Sequence, residues 1–467
     1  MNDYSHDTYI SPFTWRYGSE TMRGIWSEAH KRRLLRRVWI ALARAEMHAG
    51  LVTPQQVDEL ERNKDNIDID RASEIEAEIH HDLMAEIKTY AEQCPNAGSI
   101  IHLGATSMDA LDNMDAMRQG EAMDLIIQRT ETLLNGFAIK MEQYADVPCM
   151  AFTHIQPAEP TTVGYRFAQT AQDIVEDLAQ MKEVRQGIRG KGMKGAVGTA
   201  ASYTELLKGT GMTPVQLEQE VMEELGIKSF TAATQVYPRK QDWRIVTALS
   251  GLCCTLYKFA IDFRLLQSPP IGEWSEPFGA KQVGSSAMPF KRNPINCEKI
   301  DSLCRYVNSM ESVVWQNSAN TLLERTLDDS ANRRMVLPAA FLAVDEVLMT
   351  ATKIVNGMQV HDTGVQKNLK AYGLFAASER LLMELGRRGA NRQEMHEVIR
   401  NHSLAAWQEV QEGRKNPLAE TLSTDPAILK FATSEEVLSL LVADDYVGDA
   451  PLRTRMVLDQ AHQVLGH

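Results

Sequence analysis

The densest run of chemically useful residues is Gly284-Ser285-Ser286-Ala287-Met288-Pro289-Phe290-Lys291-Arg292-Asn293-Pro294. Two serines, a lysine, an arginine and an asparagine gather directly before a strongly periodic apolar run. They therefore fall near a helix N-terminus, where free backbone N–H groups and the macrodipole favour an anion such as a substrate carboxylate. Taken alone, the segment also fits a solvated basic loop. By itself, Glu324-Arg325-Thr326-Leu327-Asp328-Asp329-Ser330-Ala331-Asn332-Arg333-Arg334 reads as a solvated helix face. The pair His80-His81 raises the question of a metal. Neighbouring helical residues diverge by about 100°, and the i+4 positions, Met84 and Ala85, are no ligands, so no metal site is expected. Gly190 to Thr199 has the glycines of a phosphate cradle, yet it lacks the G-K-[ST] ending and a preceding strand, which argues against nucleotide hydrolysis. His102 fits either a satisfied structural histidine or a direct catalytic role.

These residues need a scaffold, and the periodicity supplies a helical one. Phe167, Ala171, Ile174, Leu178 and Met181 alternate spacings of four and three, as do Ile245, Leu249, Leu252, Leu256, Phe259, Phe263 and Leu266. Ile300 to Val314 and Phe341 to Ala351 repeat the pattern, so four or five long helices carry bundle seams, and the strand signal is negligible. An all-α fold follows, with a Gly/Pro-rich loop from Pro269 to Gly284 between two of the helices. A chain of 467 residues has room for about three domain-sized units. The breaks suggest an N-terminal helical domain at 1–109, a central long-helix bundle with the loop at 110–358, and a C-terminal helical domain at 359–467. A net charge of −13 argues against a surface that tracks nucleic acid, while leaving room for a local phosphate site. Six cysteines without a CxxC pair read as small core hydrophobes in a reducing compartment. No unbroken apolar stretch approaches the ~18 residues of a membrane span, and the first residues lack an apolar targeting core. A cytoplasmic location without membrane association is expected.

The loop from Gly284 to Pro294 resembles, without a gap, the signature G-S-S-x-M-P-x-K-x-N-P of the fumarase/aspartase superfamily. Ile101-His102-Leu103-Gly104-Ala105-Thr106-Ser107 and Phe152-Thr153-His154-Ile155-Gln156-Pro157-Ala158 are similar to its other two segments. Trp15 to Met22 and Glu324 to Arg334 resemble the branch that acts on succinylated purine nucleotides, and the likeness runs from about Arg16 to about Arg400. It implies three helical domains whose central bundle forms the core of a homotetramer, active sites shared between chains, nucleotide substrates and no cofactor. The implied reaction is β-elimination of fumarate from succinyl-AMP, giving AMP, and from succinylaminoimidazole-carboxamide ribonucleotide, giving the carboxamide ribonucleotide. Alternatives are another fumarate-releasing lyase, such as one for argininosuccinate, and a helical structural homologue without chemistry.

By the same resemblance, Ser285 is the base that takes the carbon proton, His154 the acid that protonates the leaving nitrogen, and Glu298 the residue that orients the imidazole. A proton next to a carboxylate is weakly acidic, so the dianionic intermediate needs donors around it. Lys291 and Asn293 would serve one carboxylate, and Thr106 and Ser107 the other. Arg16, Tyr17, Arg325, Ser330 and Arg334 would hold the nucleotide, Gln235 the purine, His81 with Asp82 the phosphate side, and Thr153 completes the binding set. His80 and Lys299 stand where the family has arginines.

Overall fold

The computed structural model describes residues 7–279 and 281–466. Residues 1–6, read above as lacking an apolar targeting core, lie outside the described residues. The elements that matter for the site are helices α1 (Glu28–His48), α2 (Asp82–Gln93) and α3 (Ser107–Tyr144), strands β1 (Pro148–Thr153) and β2 (Gln156–Thr162), and helices α4 (Val163–Gly187), α5 (Lys240–Gln267), α6 (Ile295–Ala319), α7 (Ser330–Gly357) and α8 (Asp362–Arg387). Contacts divide the chain into two compact units. The first is Met1–Thr130, Asp177–Cys254 and Ser302–Met349, and the second is Glu131–Glu176, Thr255–Asp301 and Thr350–His467.

Every seam residue named above is buried, from Phe167 to Met181, Ile245 to Leu266, Ile300 to Val314 and Phe341 to Ala351. The 3.6-residue period is therefore a core period, as the spacing predicts. Two of these helices, α5 and α7, are long and apolar enough to cross a membrane by length and composition, a property that buried core helices share. In the first unit, Trp39 of α1 centres an apolar core with Leu83, Tyr90, Met114, Leu217 and Val221. In the second, Phe167 stacks on Trp274 at 4.8 Å between centroids, with Phe137, Phe259 and Phe263 edge-on or tilted around them.

Two features differ from the sequence reading. The longest helix, α3, carries no clean seam because it buries Asp109, Asp112, Asn113, Gln119 and Thr130 among its apolar residues. The strand signal is also not negligible, since β1 and β2 form an antiparallel hairpin with Thr153 opposite Gln156. Pro157 and Pro160 hide β2 from a propensity reading, and an isolated two-stranded ribbon tolerates prolines that an inner strand would not.

Candidate active site

In the second unit, His154 and Ile155 occupy the tip of the hairpin, with φ of 54° and 60°. Two consecutive left-handed residues make the primed turn that matches strand twist, a position usually given to Asn-Gly. A β-branched residue there is strained, and Ile155 is held by the strands on either side. The base of the hairpin is firm: Met150 packs with Leu369, Ala376 and Ala377 of α8. Arg166 of α4 bonds both the Met150 carbonyl and the buried Glu273. Thr153 and His154 are exposed, and the imidazole has no hydrogen-bond or ion-pair partner among the described residues of its own chain.

The loop of the same unit closes on itself. Asn293 Nδ2 donates to the Gly284 carbonyl at 3.2 Å, and a Cβ on Gly284 would stand 2.1 Å from the Lys291 carbonyl oxygen, so only glycine fits. Ser285 Oγ accepts the backbone N–H groups of Ala287 at 3.3 Å and Met288 at 3.1 Å. Donors on that oxygen favour its ionised form. Lys291 is exposed. The N-terminus of α6 is not open to an anion, which corrects the expectation for this helix end. Glu276 Oε1 accepts Cys297 N–H at 2.7 Å and Oε2 accepts Asn296 N–H at 3.2 Å and its side-chain amide at 2.6 Å. Glu276 lies some twenty residues upstream, so no local pattern announces this cap. Glu298 on the first turn of α6 is half-exposed and sits 3.8 Å from Arg264. No hydrogen bond or ion pair joins His154 to Glu298, Ser285 or Lys291 among the described residues of one chain.

The first unit holds the other candidates. Arg334, one turn into α7, donates to Asp82 at 2.8 Å. Burial works against the ionised Asp82, but the Arg334 charge, the Leu83 N–H and Lys31 outweigh it and hold the carboxyl below the usual range. His81 caps α2, its Nδ1 accepting Met84 N–H at 3.3 Å, which leaves Nε2 to carry the proton. Arg325 donates to Asp329 at 2.9 Å, and Ser330 begins α7. The backbone N–H of Gln235 donates to the Glu324 carbonyl at 3.1 Å, and a cleft of about 440 Å³ opens beside it, lined by Thr234, Val236, Tyr237 and Leu323. Arg16 lies 5.7 Å from the rings of both Trp15 and Tyr17. That segment is fixed to α7 where Gly18 and Ser19 donate their N–H groups to Glu346 and Asp345. Thr106 ties its N–H to Asp109 at 3.0 Å, and Ser107 opens α3.

Beneath this set lies a buried charge network that the sequence reading missed. Arg239 bridges Asp112 at 3.0 Å and Asp329 at 2.6 Å, while Arg333 meets Asp242 and the Tyr237 hydroxyl, both at 2.7 Å. Helical geometry held the clue, because Arg333 and Arg334 point about 100° apart, so one turns into the core when the other faces out. Lys191 of the glycine-rich stretch is also buried, bonded to the Asp109 carboxylate and the Gly195 carbonyl, so that stretch braces α3. His102 stands edge-on to the Trp39 ring. Its Nδ1 accepts the Trp39 indole N–H at 3.1 Å, and burial, against a weaker pull from Asp109, pushes it down to about 4. It is a neutral imidazole with its proton on Nε2.

A lyase family model matches residues 7–308, and a model of the adenylosuccinate lyase C-terminus matches residues 375–457. Among solved structures, 3-carboxy-cis,cis-muconate lactonizing enzyme from Pseudomonas putida has the same fold, with a TM-score of 0.85 over 97% of this chain and 99% of that one at 23% identity. Adenylosuccinate lyase of Saccharomyces cerevisiae is 38% identical over 97% of this chain and 94% of its own length. The adenylosuccinate lyase of Schistosoma mansoni is 38% identical over 94% and 92%. The chain belongs to the adenylosuccinate lyase family, fumarate-releasing carbon–nitrogen lyases of the all-α fumarase/aspartase fold.

Proposed function

We propose that this protein releases fumarate from succinyl-AMP and from succinylaminoimidazole-carboxamide ribonucleotide, with Ser285 as base and His154 as acid. The observation that carries the substrate assignment is the N-terminus of α7, where Ser330 sits between Arg325, pinned by Asp329, and Arg334, pinned by Asp82. Two oriented guanidinium groups at a helix N-terminus suit a phosphate dianion, which argininosuccinate lacks.

In the elimination, Ser285 Oγ takes the proton from the carbon beside one carboxylate. The Ala287 and Met288 N–H groups already directed at that oxygen lower the cost of its alkoxide. Charge then builds on the carboxylate, where Lys291 and Asn293 stabilise it, while Thr106 and Ser107 hold the second carboxylate. The C–N bond breaks as His154 protonates the nitrogen, and Glu298 holds the imidazolium. Gln235 addresses the purine, and Arg16, Tyr17, His81 and Asp82 complete the nucleotide site with Thr153 beside His154. The unpartnered imidazole supports a site that other chains complete, hence a homotetramer with shared sites, organised as domains 1–109, 110–358 and 359–467. All the charge stabilisation comes from side chains and amides, so the reaction needs no cofactor. The setting is the cytoplasm.

Mixing purified protein with succinyl-AMP tests this by the ultraviolet change as AMP and fumarate form. Rapid turnover there and none of argininosuccinate is expected; comparable turnover of argininosuccinate defeats the assignment.

A further inference from the structure

The residue before α7 is Asp329, whose carbonyl accepts the first helical N–H, that of Arg333, at 2.9 Å. That makes it the N-cap, and an aspartate there ordinarily turns its carboxylate back onto the N–H groups two and three residues on. Asp329 does not. Its Oδ1 accepts from Arg325 at 2.9 Å and its Oδ2 from Arg239 at 2.6 Å, and no side chain among the described residues caps the N–H groups of Ala331 and Asn332. Arg239 is in turn fixed: its side chain is 1% exposed, bonded to Asp112 of α3 and set over the Tyr237 ring at 4.6 Å. The chain from α3 thus runs through three buried charged groups, Asp112, Arg239 and Asp329, to the part-buried Arg325, each in hydrogen-bonding contact with the next.

We propose that Asp329 is a positioning residue that does two things with one carboxylate. It orients the Arg325 fork, and by turning away from the helix it leaves the first N–H groups of α7 open to the same phosphate. A carboxylate near a phosphate would by charge alone weaken binding, so its presence needs the geometric role. Each further arginine N–H left outside the Asp329 bond stays available to a ligand, because Arg325 commits only Nη1. The proposal rests on the phosphate-binding reading of Arg325.

The test measures binding of AMP and of adenosine to the full-length protein by calorimetry, for wild type, Asp329→Asn, Arg325→Ala and the double variant. Asp329→Asn should weaken AMP at least tenfold and adenosine less than twofold. In the Arg325→Ala background it should weaken AMP clearly less than it does in wild type, since the part that acts through that residue is already lost. Tighter AMP binding by Asp329→Asn would show that charge repulsion is the larger effect and overturn the proposal, as would equal losses for the two ligands. Should Asp329→Asn not fold, Arg239→Lys loosens the other side of the same carboxylate and should give a smaller loss confined to AMP. Equal affinity of wild type for AMP and adenosine would refute the phosphate site itself, and the proposal with it. AMP selectivity with an unaffected Asp329→Asn refutes the proposal alone.

Discussion

The proposed base, Ser285, has its oxygen under two backbone N–H groups in a loop that Gly284 and Asn293 close. His154 stands on a strained turn with its ring exposed. If these two groups carry the proton transfers, Ser285→Ala and His154→Ala should each lower kcat by at least ~10² while substrate still binds. Single-turnover kinetics with succinyl-AMP would read both quantities, and near-normal turnover of Ser285→Ala removes it as the base. Arg334 plays a different part. As a phosphate ligand in the proposed site it would make a charge-assisted contact present throughout the reaction, so Arg334→Ala should raise KM roughly ten- to a hundredfold with little change in kcat, as for the loss of about 1.5–3 kcal/mol of uniform binding. An unchanged KM would take Arg334 out of the site. The motifs around these residues were legible because each is contiguous in sequence. Glu276, Asp329 and Trp39 act on partners that folding brings near or that spacing alone does not single out, so their roles were not legible.

At the scale of elements, the helical seams could be read directly since one apolar stripe at helical spacing has one means of burial. The hairpin could not, because its strands carry prolines and its turn lacks the usual Asn-Gly. The helix α3 failed for a different reason: it spends buried positions on Asp112 and Gln119, which serve the charge network and break the apolar period. The turn itself makes a prediction. A left-handed conformation costs an L-residue roughly 1–2 kcal/mol, and Ile155 is 66% exposed, so it has little packing to lose. Ile155→Gly should therefore stabilise the protein by about 1 kcal/mol after the greater freedom of glycine in the unfolded chain is counted. Urea unfolding measures it, and a clear loss of stability would show that Ile155 is held by contacts outside its own chain.

For the whole molecule, stability should carry the mark of Glu46, which is fully buried with neither carboxyl oxygen hydrogen-bonded among the described residues. Burial pushes it up to about 9 from an ordinary value of 4.5. The folded state therefore holds a proton that the unfolded state releases above 4.5. Stability from this group is complete below 4.5 and falls as pH rises toward 9, by up to about 1.4 kcal/mol per pH unit. Glu46→Gln should flatten that slope in unfolding curves between pH 5 and 8.5, and an unchanged slope would mean that Glu46 is not the group responsible. The central claim concerns assembly, since no hydrogen bond joins the proposed acid and base among the described residues of one chain. It is tested most directly by exchanging subunits between His154→Ala and Ser285→Ala, each inactive alone. If the two residues of one site come from different chains, random mixing in equal amounts should restore roughly a quarter of the sites. Activity recovered to a sizeable fraction of wild type is the predicted result; a mixture that demonstrably exchanges subunits yet stays inactive would contradict it.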